Sequence, residues 1–206
     1  MTQLKKTFIE LIKLYSNDLN MAEAMWAEIE GLYASKGRYY HTLQHLAHLL
    51  IQLSKVKQNI QDWDILLFTL YYHDIVYVAT RTDNEEQSAD LAVLRLKKLA
   101  IPSSKIIACK SQILATKSHL KSGNMDTNYF TDADLSILGE DWKTYSLYFE
   151  NVRKEYAMYS DKDYREGRKK VLQHFLNMEN IFKTNYFNQK LETRAKENLK
   201  KELHFL

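Results

Sequence analysis

Cysteine is almost missing from this chain: Cys109 stands alone among 206 residues. An internal disulfide framework is excluded, and the usage fits a reducing compartment. Proline occurs once, at Pro102, and glycine five times. So few chain breakers favour helices joined by short turns. No apolar run reaches the roughly 18 residues of a membrane-spanning helix, so no membrane span is expected. Residues Met1-Thr2-Gln3-Leu4-Lys5-Lys6 run straight into an amphipathic pattern. They lack the apolar core of a signal peptide, which makes the cytoplasm the expected location. An excess of one charge is missing too. Lys and Arg number 29 against 26 Asp and Glu, a formal net charge of +3. That balance is too mild to imply a nucleic-acid partner.

What is present is ordinary for a globular protein: 45% hydrophobic and 27% charged residues. The length suits one sizeable domain over residues 1–206. No segment shows clean period-two alternation bounded by turns, so strands are not expected. Apolar residues instead recur at helical spacing. The pattern predicts helices over residues 3–15 and 22–33, with a break at 17–20 between them. A third starts near Tyr40, and a buried fourth covers 62–78. Thr82 and Glu85 have the spacing of a capping box that opens a fifth. Pro102 starts another. Residues 117–128 form the longest expected loop, and a short helix over 131–138 is stopped by Gly139. Three more helices cover 142–159, 161–177 and 189–203, the last a solvated outer helix with a narrow stripe at Leu191, Ala195, Leu199 and Leu203. The fold class is all-α, with about nine or ten helices.

Three stretches carry the chemistry-bearing side chains. Tyr71-Tyr72-His73-Asp74 lies within an apolar run, Ile65 to Val78. A buried Asp is costly unless paired, and a metal ion or bound cation relieves that cost. The plainer alternative is a His and an Asp at a helix end, each satisfied by backbone. In Arg38-Tyr39-Tyr40-His41-Thr42-Leu43-Gln44-His45, His41 and His45 are four residues apart and His48 follows three later. On a helix these would share one face; taken alone, they read more readily as partly exposed histidines near a helix start. Further on, Asp132-Ala133-Asp134 places two carboxylates near an expected helix start. Capping accounts for Asp132 but leaves Asp134 unexplained. His45, His73, Asp74 and Asp134 together make a mixed nitrogen and oxygen donor set. It suits Mn, Fe, Co, Ni, Zn or Mg and lacks the thiolates of a structural zinc site.

The order His…His-Asp…Asp on a helical background resembles the HD superfamily of metal-dependent phosphohydrolases. Arg38-x-Tyr40-His41-Thr42-x-x-His45, Tyr72-His73-Asp74, Asn84-Glu85-x-Gln87-Ser88-Ala89, Asp132-Ala133-Asp134-Leu135-Ser136-Ile137-Leu138-Gly139 and Arg153-Lys154-Glu155-Tyr156-Ala157 are similar to a bacterial group of about 200 residues described as predicted HD phosphohydrolases. The resemblance implies an HD-type helical domain with His45, His73, Asp74 and Asp134 as metal ligands. His41 matches the histidine that protonates the leaving oxygen in the cyclic nucleotide phosphodiesterases, distant relatives in fold. Those enzymes have Asn where Thr42 stands, and their purine-clamping glutamine has no counterpart here, so cyclic nucleotides are not the indicated substrate.

The expected function is hydrolysis of a phosphoric ester or anhydride, of a nucleotide or related small phosphate, with His41 and Asp74 catalytic. Arg38, Lys117 and Arg81 are candidate phosphate binders, Arg38 first because it adjoins His41. His119 is a candidate for substrate or a second metal, and equally a surface histidine. Glu85 is a candidate for the site, which its capping role explains as well. Tyr39, Tyr40, Tyr71 and Tyr72 suit either a pocket wall or the core. Cys109 reads as an inert core thiol. A non-catalytic nucleotide-sensing domain and a helical interaction or nucleic-acid-binding module are the rival functions, and a homodimer is compatible with the sequence.

Overall fold

The computed structural model describes residues 2–206. Among these residues there are ten α-helices, two short 3-10 segments and no strand, the all-helical architecture that the periodicity predicts. The helices are α1 (Gln3–Lys13), α2 (Leu19–Tyr33), α3 (Leu43–Ser54), α4 (Trp63–Tyr72), α5 (Asn84–Lys98), α6 (Ser103–Ala115), α7 (Met125–Asp134), α8 (Trp142–Glu155), α9 (Asp161–Leu176) and α10 (Asn185–Phe205). Two compact units divide the chain. One runs to Thr131 and the other is Asp132–Leu206, so the division falls inside α7. No helix among the described residues is long and apolar enough to cross a membrane.

The first unit is built around α4. Every residue of α4 from Ile65 to Tyr72 is buried, as expected of a helix that is apolar all round. Two of its buried polar groups are used as ties. The Tyr71 hydroxyl donates to the Leu4 carbonyl at 2.9 Å, and the Phe8 ring meets Tyr71 edge-on at 4.9 Å. Thr69 donates to the Gln112 side-chain oxygen at 2.6 Å, joining α4 to α6. Cys109 lies beside Thr69, wholly buried, and burial pushes its thiol up to about 12. At the entry to α4 the Asp126 carboxylate accepts from the backbone of Gln61 and Asp62 at 2.9 and 2.8 Å.

Several helix ends differ from the sequence reading, each for a local reason. Asp18 accepts from the Met21 amide and starts α2 at Leu19, inside the expected break. Thr42 accepts from the Gln44 amide and starts α3 at Leu43, so His41 precedes the helix instead of sharing its face. Helix α4 ends at Tyr72, well short of residue 78. Beyond it the backbone is captured by side chains of α5. Ser88 accepts from the Val76 amide and donates to its carbonyl, and the Asn84 amide group pairs with both backbone groups of Val78. These bonds replace the i→i−4 ladder that a continuing helix would need. The capping box does not form: Asp83, not Thr82, precedes α5, and Arg81 holds both oxygens of the Asp83 carboxylate at 2.8 and 2.7 Å. Helix α7 begins at Met125 and shortens the expected loop.

In the second unit, α10 is a packed helix, which corrects the solvated outer helix expected from its Lys and Glu content. Phe187, Ala195, Asn198, Leu199 and Glu202 are all buried on it. Two of these are polar and count as surface on hydropathy alone. Asn198 donates to the carbonyls of Leu138 and Glu140 at 2.8 and 2.9 Å. Glu202 takes a bidentate pair from Arg168 and the hydroxyl of Tyr145. Asp132 does not cap its own helix. It sits in the last turn of α7 and accepts from the backbone of Lys183 and Thr184 and from the Thr184 hydroxyl, holding the entry to α10. The Lys183 ammonium lies 3.6 Å from the same carboxylate, both side chains being nearly inaccessible.

Two variants test this packing. A methyl group on Gly139 would meet the Leu191 Cβ at 2.6 Å and its carbonyl oxygen at 2.9 Å. Gly139→Ala should therefore destabilise the protein by about 1 to 3 kcal/mol, the cost of forcing atoms into a packed contact, measured by urea unfolding. Asp132→Asn should cost about 3 kcal/mol, since it leaves the buried Lys183 without its counter-charge, well above the roughly 1 kcal/mol of a lost helix cap.

Candidate metal centre

The early end of α4 delivers His73 and Asp74 to a turn at the edge of the core. His73 is the first residue after the helix and stays buried, while the Asp74 side chain is 20% exposed. Asp74 thus lies outside the all-apolar helix in which the sequence reading placed it, with part of its side chain in contact with solvent. On α3, His45 lies in the first turn of the helix and is buried.

Their ligand atoms converge. The Nε2 atoms of His45 and His73 face each other at 3.2 Å. The Asp74 Oδ2 lies 3.0 Å from His73 Nε2 and 3.6 Å from His45 Nε2. All three ligand atoms are within 4.8 Å of one another, the single such grouping among the described residues. Two ligands each about 2.1 Å from one ion, at angles between 90° and tetrahedral, sit about 3.0 to 3.4 Å apart. Two of the observed spacings, 3.0 and 3.2 Å, fall in that interval and the third, 3.6 Å, lies just beyond it, a set that a divalent ion could draw together.

The ring of His73 is oriented for such a role. Its Nδ1 is 3.0 Å from the Leu70 carbonyl. A carbonyl only accepts, so Nδ1 carries a proton, and in the neutral ring Nε2 presents its lone pair toward Asp74 and His45. Backbone anchoring of the far nitrogen is the usual arrangement of a metal-binding imidazole. The Phe130 ring meets His73 edge-on at 5.3 Å, and Tyr40 packs on His45 at 4.9 Å. These rings limit access of water to the imidazoles and fix their tilt.

His41 stands at the rim. Its Nε2 is 4.0 Å from Asp74 Oδ2, beyond the spacing shared by the other three. Having lost the helix predicted for it, His41 is held by neighbours: the Tyr77 ring stacks on it with centroids 4.0 Å apart and an interplanar angle of 26°. His48, one turn beyond His45, is held down at about 4, first by burial and then by the nearby His45 and Lys55. It is therefore neutral at pH 7 and adds no charge to the centre.

The expected substrate contacts have other occupations. Arg38 donates from one terminal nitrogen to the carbonyls of His41 and Asp74 at 3.0 and 2.7 Å, and from the other to Ile75 at 2.8 Å. Lys117 donates to the Thr82 carbonyl and pairs with Glu86, with Glu85 at 4.0 Å, so it ties the end of α6 to the start of α5. Arg81 is engaged with Asp83. His119 has a positive φ of 53° and its amide donates to the Ala115 carbonyl, a left-handed residue that closes α6. Tyr71 and Tyr72 belong to the core and Tyr39 is exposed, which leaves Tyr40 as the tyrosine of that set that packs on the histidines. Asp134 ends α7 at the start of the second unit.

No protein-family model, curated protein or solved structure matches this chain.

Removal of one ligand should be decisive for this centre. His73→Ala and Asp74→Ala are expected to abolish uptake of Co(II) or Mn(II) by protein purified without chelators, read by elemental analysis and titration.

Proposed function

We propose that the chain is a metal-dependent phosphohydrolase, acting on a phosphoric ester or anhydride of a small molecule, a nucleotide first among them. The observation that carries this reading is the convergence of His45, His73 and Asp74 at ligand spacing, with His73 turned by its bond to the Leu70 carbonyl. The resemblance to the HD superfamily implies Asp134 as a fourth ligand. The donor set leaves coordination positions for water and a phosphate oxygen.

A divalent ion held by these residues would supply Lewis acidity and lower the pKa of a water. The protein groups divide the remaining work. The outer part of the Asp74 carboxylate, accessible to solvent, orients the attacking water and accepts its proton. His41, at the rim and close to Asp74, holds a proton at Nε2 for the leaving oxygen. The Tyr77 and Tyr40 rings beside His41 exclude water from one side of it.

A phosphatase screen with added Mn(II) or Ni(II) tests the reading. Metal uptake without turnover on any ester or anhydride would leave a nucleotide-sensing domain; absence of both would remove the assignment. Within an active enzyme, His41→Ala should keep metal and fold but lose turnover by about 10²- to 10⁴-fold on esters with poor leaving groups, the usual worth of general acid catalysis. The loss should shrink on p-nitrophenyl phosphate, whose leaving group needs no proton.

A further inference from the structure

We propose that Arg38 and Tyr77 form a clasp that positions His41 against Asp74, making them the positioning residues of this centre; this rests on the phosphohydrolase reading above. Arg38 is 36 residues from Asp74 in sequence, yet its guanidinium bridges the loop before α3 and the turn after α4. Three carbonyls receive its bonds: His41 at 3.0 Å, Asp74 at 2.7 Å and Ile75 at 2.8 Å. Two of these belong to the proposed acid and to a proposed ligand. The guanidinium carbon also lies 4.8 Å from the centroid of the Tyr33 ring and 5.6 Å from that of Tyr77. Tyr77 completes the clasp by stacking on the His41 imidazole at 4.0 Å.

The placement follows from what the two segments lack. His41 is outside a helix, and so is Asp74. Neither has an i→i−4 ladder to hold its backbone, and a loop side chain loses catalytic geometry with small displacements. A planar fork with several fixed donors meets that need, and a Lys point charge does not reproduce it. The same bonds separate Arg38 from a phosphate-binding role. Bidentate capture of an anion would have to displace carbonyl partners that hold the site together.

The test uses the full chain, with Co(II) as metal probe and phenyl phosphate and p-nitrophenyl phosphate as substrates. Arg38→Lys should weaken Co(II) binding by about tenfold or more, the usual cost of losing a group that orients a ligand. Tyr77→Leu should keep Co(II) affinity within about twofold and lower kcat on phenyl phosphate by about tenfold with KM little changed. Its loss should be much smaller on p-nitrophenyl phosphate, should vanish in a His41→Ala background because both act through one group, and should be rescued by Tyr77→Phe, which keeps the stacked ring. Wild-type Co(II) affinity and turnover in Arg38→Lys, or a Tyr77→Leu loss that adds in full to that of His41→Ala, would overturn the clasp. Should Arg38→Lys fail to fold, the Tyr77 variants decide alone. Wild-type protein that takes up no Co(II) and hydrolyses neither ester overturns the proposed function instead, so the two failures are distinct.

Discussion

A helix buried on every side must shed its polar neighbours at its ends, and α4 does so. From Ile65 to Tyr72 its side chains are all in the core, where an unpaired carboxylate would be prohibitive. The first residues past the last turn are His73 and Asp74. The chain leaves the helix there because Ser88 and Asn84 of α5 offer the backbone at Val76 and Val78 a different set of partners. The candidate centre thus depends on hydrogen bonds made two and four residues beyond Asp74. Ties at Tyr71, Thr69 and Asp126 prevent α4 from sliding or rotating. A rotation of one residue, about 100°, would carry His73 away from His45.

Two kinds of support keep the three candidate ligand atoms together. Helix α3 and the Leu70 carbonyl fix the imidazoles from within regular structure. His41 and the Asp74 backbone lie in loops and depend on Arg38 and on ring stacking. The first kind is built from local bonds and tolerates change in distant segments. The second spans more than thirty residues of sequence and is the part of the site that a single substitution at Arg38 or Tyr77 can loosen.

Buried polar groups organise the second unit as well. Asp132, Asn198 and Glu202 each terminate or brace a segment that would otherwise carry unpaired amides or carbonyls. Burial opposes charge on both partners of the Asp132–Lys183 pair, raising the acid and lowering the base. The backbone donors on Asp132 work the other way and favour its ionised form. Gly139 has a different task, close approach: Leu191 leaves no room for a Cβ. It was legible in the sequence as a helix stop, but the reason for glycine there is packing.

The helical class and the rough number of helices were legible because apolar spacing of 3.6 residues and the scarcity of Gly and Pro are properties of the chain itself. So were the residue types of the centre, since His and Asp in apolar company need an explanation wherever they fall. Helix ends were not legible, because the groups that set them lie elsewhere: Arg81 takes Asp83 away from capping, and α5 captures Val76 and Val78. The occupation of Arg38 was hidden for the same reason. In sequence it is a cation next to a histidine, which suggests phosphate; in three dimensions its partners are carbonyls 36 and 37 residues on. Tyr77 carried no signal at all, because one ring stacking on another is a contact without a period. Side-chain chemistry and local periodicity are written along the chain, whereas which donor meets which acceptor is decided only when distant segments pack and each buried polar group must find a partner.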